Sequence, residues 1–235
     1  ITASYNGQLA PVRIVDNVIH DNSSNGISGS FWVHAVGNTV YGHAGTFGIN
    51  LYDTRALAQD NVVYRNANGI NLSVGPTARN NRVFDNAGVG IDIGNGGTAE
   101  GNRVYGNATG ISESGGRVAN NVVYDNRTTG ISTAGYRPSA LQGVFNNTVV
   151  QPTGNAITVR AGAQGVYLLN NILEAGSGYA IGVSDNSFTG LVSDFNLFRL
   201  GAGAQIGRWE GVDYPTLADW FYELGLDGES LVADP

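Results

Sequence analysis

The chain has 235 residues, of which 35 are glycine and none is cysteine, and its formal net charge is −7. Without cysteine it can form neither a disulfide framework nor a thiolate metal site. All twelve basic residues are arginine, so the chain lacks the lysine patches of many nucleic-acid-binding surfaces. It also lacks an apolar run of about 20 residues that could span a membrane. We expect neither nucleic acid nor a membrane as a partner.

One short phrase recurs along most of the chain: asparagine, a variable residue, Val or Ile, and an aromatic residue. In its fullest copies a second asparagine closes the phrase, as in Asn61-Val-Val-Tyr-Arg-Asn66, and a Gly-Ile pair follows within a few residues. The leading asparagines lie 19 to 26 residues apart, at Asn17, Asn38, Asn61, Asn81, Asn102, Asn121, Asn147, Asn171 and Asn196. A period near twenty is typical of a solenoid of stacked units.

Within each unit, apolar and polar residues alternate with a period of two, which predicts β-strands. One strand is predicted at each Asn-x-Val phrase, a second at each Gly-Ile pair, and a third before the next asparagine, as in Phe31–Val36, Leu141–Phe145 and Val166–Leu169. The backbone N–H and C=O groups of such short strands form hydrogen bonds with the strands of the coils above and below. The prediction is an all-β fold, a right-handed parallel β-helix of about nine coils rising about 4.8 Å per coil.

Two aliphatic columns are expected to form the core, and the leading asparagines are expected to form a ladder of amide hydrogen bonds at the turns. The first column consists of Ile19, Val40, Val63, Val83, Val104, Val123 and Val149. The second consists of Ile27, Ile49, Ile70, Ile91, Ile111, Ile131, Ile157 and Ile181.

The composition changes near residue 200. Residues 1–200 carry 11 arginines and 12 acidic residues, whereas residues 201–235 carry one arginine and seven acidic residues. A helical pattern at about residues 215–224 has Thr216 as its N-cap candidate and Gly225 as its C-cap candidate. We therefore predict a β-helix over residues 1–200 and a capping segment over residues 201–235, whose helix covers the open end. The mid-coil start at Ile1 leads us to expect a monomeric module from a larger multidomain chain.

Over about residues 12–200 the repeat resembles that of pectate-lyase-like proteins, alginate lyases and mannuronan C5-epimerases. The closing segment, Trp209-Glu-Gly-Val-Asp-Tyr-Pro-Thr-Leu-Ala-Asp-Trp220 with Ser230–Pro235, resembles a tail found on many bacterial secreted β-helix proteins. The resemblance implies an extracellular or cell-surface protein of bacterial origin and a polysaccharide as the partner.

Polar residues follow the isoleucines of the Gly-Ile strands and point outward. In the families that the chain resembles, this strand lines the sugar groove, so Asn50, Asn71, Ser112 and Ser132 are candidate substrate-binding residues. The alternative is an ordinary solvated face. A second outward column is aromatic and includes Tyr64 and Tyr105; it forms either a sugar platform or a ladder that only stabilises the fold.

The candidate catalytic residues are Tyr52, Asp53, Arg55 and Asp92. An arginine could hold a uronate carboxylate and a tyrosine could move a proton. Asp92 retains the carboxylate of the epimerase signature Tyr-Gly-Phe-Asp-Pro-His, while Val89 and Gly94 replace its tyrosine and histidine. The alternative for Asp53 and Arg55 is a surface pair that caps a turn.

No cofactor and no transition-metal site is predicted, whereas calcium is possible near Asp85, Asp92 or Asp125. The first functional hypothesis is a module that recognises or holds polysaccharide along its Gly-Ile face. The alternatives are a uronate polysaccharide lyase or C5-epimerase acting in the same groove, and a structural or adhesion stalk without a ligand. Whether the chain is an enzyme is left open by its sequence.

Overall fold

A computed structural model describes residues 1–4, 7, 10–94, 96–135, 143–184 and 186–234. The described chain winds into a parallel β-helix of about nine coils, and each coil contributes one strand to each of three sheets. We name these the Gly-Ile sheet, the middle sheet and the aromatic sheet. The predicted fold class is confirmed.

The Gly-Ile sheet contains the Gly-Ile strands, ends in one antiparallel strand, and comprises Thr2–Ser4, Ile27–Ser30, Ile49–Tyr52, Ile70–Ser73, Val89–Ile93, Thr109–Ser114, Thr129–Ala134, Asn155–Val159, Gly178–Val183, Ala204–Trp209 and Val212–Tyr214. The middle sheet comprises Val12–Val15, Val33–Val36, Leu57–Gln59, Thr77–Arg79, Thr98–Glu100, Arg117–Ala119, Gly143–Phe145, Tyr167–Leu169 and Val192–Asp194. The aromatic sheet comprises Val18–His20, Thr39–Tyr41, Val62–Tyr64, Arg82–Phe84, Arg103–Tyr105, Val122–Tyr124, Thr148–Gln151, Ile172–Ala175, Leu197–Leu200 and Leu231–Val232. The predicted strand at Leu141–Phe145 falls partly outside the described residues, and its described part begins at Gly143.

The predicted aliphatic columns form the core. Val63, Val83 and Val104 are direct register partners in successive coils, and each is completely buried. The Ile70 column stacks in the same way on the Gly-Ile sheet. β-Branched side chains suit these positions because they pack well on a pleated surface.

The glycine of the Gly-Ile pair has a steric role, which Gly90 illustrates. A Cβ atom at Gly90 would lie 2.6 Å from the carbonyl oxygen of Gly110 and 2.7 Å from Cγ1 of Val104. Real Cβ atoms do not approach other atoms so closely, so the coil must carry glycine here. The repeat therefore retains this glycine for close packing between coils.

The leading asparagines form the predicted ladder. The backbone N–H and the Nδ2 amide of Asn81 both donate to Oδ1 of Asn102, each at 2.9 Å. Asn102 in turn donates through both groups to Oδ1 of Asn121 and through Nδ2 to the carbonyl oxygen of Ala78. Since every donor and acceptor of the amide is used, the side chain can be buried without an unpaired polar group.

The asparagines that close the phrase form a second ladder, which the sequence did not lead us to predict. Asn66, Asn86 and Asn107 repeat the same donor pattern. At one rung the buried His43 accepts the N–H of Asn22 at Nδ1 (3.2 Å), which leaves Nε2 to donate to the carbonyl oxygen of Ile19 (3.2 Å). Imidazole can replace an amide here because its neutral form also has one donor and one acceptor.

The C-terminal segment closes the first ladder. The helix Leu217–Leu224 begins after the N-cap Thr216 and ends at Gly225 in the left-handed conformation, as predicted. Asn196 is the last rung of this ladder. Its backbone N–H donates to Oγ of Ser230 (2.8 Å), and its Nδ2 donates to Oδ1 of Asp227 (2.9 Å). Two side chains of the capping segment thus take the place of a further asparagine.

The fully buried Trp220 anchors this segment. Its Nε1 donates to Oδ2 of Asp227 at 3.0 Å, and its ring packs against Gly207. The parallel pairing of the Gly-Ile sheet continues through Ala204–Trp209, so the coils run past the boundary that we predicted at residue 200. Among the described residues, no helix has the length and apolar character needed to cross a membrane.

The contribution of the ladder to stability can be tested by replacing one of its asparagines with alanine. We expect Asn102→Ala to lower the free energy of unfolding by about 2–4 kcal/mol, because two buried donors of Asn81 lose their acceptor. Asn50→Ala is the matched control, since that half-buried amide lies outside the ladders and, among the described residues, accepts a hydrogen bond from Asn71 only. Urea unfolding followed by circular dichroism measures both. An equal loss in the two variants would contradict a specific contribution of the ladder.

Candidate functional site

The outward face of the Gly-Ile sheet carries an in-register row of polar side chains. Its spacing is that of neighbouring strands, about 4.8 Å. In successive coils the row contains Ser28, Asn50, Asn71, Asp92, Ser112, Ser132 and Thr158. Four predicted substrate-binding residues, Asn50, Asn71, Ser112 and Ser132, therefore lie in one line with the predicted catalytic residue Asp92. We call this line the polar row.

Neighbours in the polar row contact one another. Nδ2 of Asn71 donates to Oδ1 of Asn50 at 2.7 Å and to Oγ of Ser73 at 3.1 Å. Nε of Arg160 donates to Oγ of Ser132 at 2.8 Å. These contacts orient the side chains. Ser132 is buried, whereas the other members of the row are partly exposed and present donors and acceptors to the solvent.

Asp92 is the carboxylate of the polar row. Burial raises its pKa above the ordinary value for aspartate, while a hydrogen bond from Ser112 and the positive charge of Arg160 oppose that rise. Removal from water disfavours the ionised form, which explains the direction. The row thus holds one acidic group in a partly dehydrated place.

The polar row ends at a pocket of about 200 Å³. Beyond Thr158 the next row position is Gly182, and the one after that is Arg208. Because Gly182 has no side chain, a notch opens between these neighbours; Tyr179 and Asn155 line its side. The pocket therefore interrupts the row at Gly182.

Tyr179 and Arg208, which line this pocket, contact Asp213 beside it. The hydroxyl of Tyr179 donates to Oδ1 of Asp213 at 2.9 Å, and NH1 of Arg208 lies 3.3 Å from the same hydroxyl. Nε of Arg208 is 3.5 Å from Oδ1 of Asp213. Burial and the Asp213 hydrogen bond raise the pKa of the Tyr179 phenol, while Arg208 acts in the opposite direction. Tyr179 is therefore a neutral donor and acceptor at neutral pH.

The predicted catalytic residues do not come together. Tyr52 is half exposed, and Asp53 occupies a turn with a φ of 107°. Arg55 donates its backbone N–H to Oδ1 of Asp53 at 3.1 Å, with its guanidinium 3.7 Å from the same oxygen. Asp92 lies two coils away from Tyr52, which is about 10 Å along the axis. The geometry of Asp53 and Arg55 is that of a surface pair capping a turn.

Tyr64 and Tyr105 belong to a continuous stack of rings on the aromatic sheet. The stack consists of His20, Tyr41, Tyr64, Phe84, Tyr105 and Tyr124, with adjacent centroids 4.7–5.0 Å apart and planes within 14° of parallel. Inner members have both faces covered by neighbouring rings, so a sugar can meet only their edges. The stack is a stabilising ladder, and a substrate-binding role for Tyr64 and Tyr105 stays a prediction.

The possible calcium site also stays a prediction. Asp85 and Asp125 lie at turn positions of the aromatic sheet, whereas Asp92 lies on the Gly-Ile sheet. Within the described part of the chain, no three carboxylate or imidazole side chains lie together as a metal site. Any calcium would have to draw on backbone carbonyl groups in addition to one of these aspartates.

The residues of the pocket were not among the sequence-predicted site residues. The signal was nevertheless present: Ile181 belongs to the predicted aliphatic column, so alternation places Gly182 in the outward row. Arg208 and Asp213 lie in the segment that we predicted as a cap. Arg208 reaches Tyr179 through the parallel pairing of Ala204–Trp209, whereas Asp213 reaches it through the antiparallel return of Val212–Tyr214, which the repeat pattern does not encode.

Comparisons with known proteins provide information mainly about the fold of this chain. The family model described as right-handed β-helix region matches residues 27–173. A comparison with curated proteins yields no match. The solved structure of the A-module of the Azotobacter vinelandii mannuronan C-5 epimerase AlgE6 is similar, with 14% identity, a TM-score of 0.66, and coverage of 97% of this chain and 67% of that one. The pectate lyase Pel9A is similar at 14% identity and a TM-score of 0.51, with coverage of 87% of this chain and 66% of that one.

The burial of Asp92 predicts a pH dependence of stability. In the unfolded chain Asp92 loses its proton at the ordinary pKa, whereas in the folded chain its pKa is raised. Stability is therefore lost as the pH rises from the unfolded to the folded pKa. Asp92→Asn removes this loss, so the stability of the variant relative to the parent should increase as the pH rises above the ordinary pKa of aspartate. Urea unfolding at several pH values measures it; a pH-independent difference would contradict the account.

Proposed function

The chain belongs to the right-handed β-helix family, and on that premise we propose that it binds a polysaccharide lengthwise along the Gly-Ile sheet. The single observation that carries the proposal is the polar row, in which seven successive coils carry a hydrogen-bonding side chain in register and all of these except the buried Ser132 are partly exposed. A glycan also repeats its hydroxyl groups at regular intervals. A ligand lying across the coils can therefore make the same kind of contact several times.

The pocket at Gly182 supports a defined end for the bound polymer. Its notch is lined by Tyr179, Thr158 and Arg208, which together offer a ring, a hydroxyl group and a guanidinium. Sugar sites combine such apolar surface with a few placed polar groups. In the proposal a sugar ring occupies the notch and neighbouring sugars lie along the polar row.

The similar solved structures are named as a mannuronan epimerase and a pectate lyase. Both names refer to polysaccharides, which supports a polysaccharide as the ligand class here. Since the chain spans only about two thirds of each structure, we do not extend their activities to it. The proposal includes an extracellular or cell-surface setting in a bacterium, because the closing segment resembles the tail of bacterial secreted β-helix proteins.

The second candidate is a uronate polysaccharide lyase or C5-epimerase in the same groove. Tyr179, Arg208 and Asp213 favour this candidate because a phenol and a guanidinium that line the pocket lie within 3.5 Å of each other and of a carboxylate beside it. A proton-transfer reaction at a sugar carbon requires such groups. The dispersed positions of Tyr52, Asp53, Arg55 and Asp92 favour it less.

Binding can be tested by affinity electrophoresis in gels that contain alginate, pectate or a neutral glucan. We expect retardation of the parent protein, and about tenfold weaker binding for the double variant Asn50→Ala/Asn71→Ala, which loses two adjacent hydrogen-bonding groups. Thr98→Ala on the outward face of the middle sheet is the control and should bind like the parent. The absence of retardation with every glycan would leave the third hypothesis, a stalk without a ligand.

The pocket itself can be filled by a side chain. Gly182→Thr continues the polar row of Thr158, and its Cβ would meet the movable amide of Asn155 at 2.8 Å, so the fold should tolerate it. We expect this variant to bind the end of the polymer more weakly than the parent does. Its affinity for short oligosaccharides should therefore fall more than its affinity for long chains. Unchanged affinity for both lengths would exclude the notch from the site.

Incubation with the same polymers separates binding from catalysis. A lyase creates an unsaturated sugar that absorbs in the ultraviolet, and an epimerase changes the ratio of uronate isomers seen by NMR. We expect neither change from the parent protein. Product that disappears in Tyr179→Phe would instead establish the second candidate.

A further inference from the structure

Arg82 and Arg103 lie side by side on the exposed face of the aromatic sheet. They are direct register partners in adjacent parallel strands, which places their Cα atoms about 4.8 Å apart. Both residues are exposed to solvent. Like charges opposite each other in a sheet are destabilising, so the pair needs an explanation.

Elsewhere the same chain places opposite charges at such positions. Arg79 and Glu100 are register partners on the middle sheet, and their charged groups are 3.5 Å apart. Arg199 and Glu174 are register partners on the aromatic sheet, with their charged groups at 2.7 Å. Throughout the described ranges, by contrast, no carboxylate forms an ion pair with Arg82 or Arg103.

The ring stack holds both guanidinium groups in place. Nε of Arg82 donates to the hydroxyl of Tyr105 at 2.9 Å, and the guanidinium carbon lies 4.7 Å from the centroid of Phe84. Nε of Arg103 donates to the hydroxyl of Tyr124 at 2.9 Å, and its guanidinium carbon lies 5.3 Å from that ring. A ligand would therefore find two arginines that are already ordered, which lowers the entropic cost of binding.

Most of the guanidinium donors remain available. Arginine has five N–H donors; Arg82 uses Nε and NH2 for Tyr105, and Arg103 uses Nε for Tyr124. Three donors of Arg82 and four of Arg103 thus have no acceptor in the described chain. Planar pairs of N–H donors match the two oxygens of a carboxylate or the oxygens of a sulfate.

We propose that Arg82 and Arg103, supported by Tyr105 and Tyr124, form a second binding site, for two successive anionic groups of an acidic polysaccharide. Carboxylates and sulfates share the chemistry that this pair recognises. The spacing of the arginines corresponds to one strand interval, about 4.8 Å, which is comparable to the length of one sugar residue. The site lies on a different sheet from the polar row, so its failure would leave the proposed function of that row intact.

A nucleic acid fits this surface less well than an acidic glycan. Proteins that bind single strands stack bases on open aromatic faces, whereas the faces of Phe84, Tyr105 and Tyr64 are covered by neighbouring rings at 4.7–5.0 Å. Ring edges and guanidinium groups suit a chain that carries its charge on substituents and has no flat bases. The aromatic stack thus favours a saccharide as the polymer.

The test compares two double variants with equal changes in net charge. Arg82→Gln/Arg103→Gln removes the proposed site, and Arg79→Gln/Arg199→Gln removes two arginines that already have carboxylate partners. The probes are polygalacturonate, dextran sulfate, uncharged dextran and a single-stranded oligonucleotide, in affinity gels at low and high salt. We expect polygalacturonate, dextran sulfate or both to bind the parent, with about tenfold weaker binding by the first variant only.

Comparing the two acidic polymers shows which anionic group the arginines bind. Retention by polygalacturonate identifies carboxylates and retention by dextran sulfate identifies sulfates, and either should weaken at high salt because exposed charges are screened. Arg82→Lys/Arg103→Lys keeps the charge but loses the planar fork, so its affinity should fall between those of the parent and the glutamine variant.

Three results would overturn the proposal. Equal retention of the two glutamine variants would mean that general charge explains the binding. Tighter binding of the oligonucleotide than of either acidic glycan would assign the surface to nucleic acid. No retention of the parent by polygalacturonate or dextran sulfate would show that the arginines bind no polyanion. Circular dichroism of each variant confirms that the coils are intact.

Discussion

Coil-to-coil hydrogen bonding is the constraint on which the rest of the molecule depends. Each short strand finds its backbone partners in the coils above and below, and the two ladders extend the same rule to the turns. An amide side chain suits this role because it accepts two and donates two hydrogen bonds, as Asn102 does. With these bonds made, the valines and isoleucines can form an unbroken column without leaving a buried polar group unpaired.

The same constraint organises the surface. Since the coils stack in register, equivalent outward residues of successive coils form a row on the surface. The residue types that recur at that position determine the chemistry of the row. The Gly-Ile sheet presents mainly neutral hydrogen-bonding groups, while the aromatic sheet presents stacked rings with Arg82 and Arg103 across them. Both surfaces are straight and periodic, which is the geometry that suits a polymer.

The candidate site was only partly predictable from the sequence. Alternation within the strands correctly placed Asn50, Asn71, Asp92, Ser112 and Ser132 in one row. It did not bring Tyr52 and Arg55 to Asp92, because Asp92 aligns with Asn71 and then Asn50 in register and so lies two coils away from Tyr52. The pocket was missed for a related reason: Tyr179 meets Asp213 through a strand reversal after the last parallel coil.

The sequence by itself determined the β-helix, its core columns, the first ladder and the capping helix, since each follows from a period of about twenty residues combined with alternation by two. Tertiary structure alone decided the partners that have no repeat. Asp227 and Ser230 complete the ladder at Asn196, and His43 serves as a rung of the second ladder. A periodic pattern specifies contacts between equivalent positions; contacts between unlike positions depend on how the folded chain brings distant side chains together.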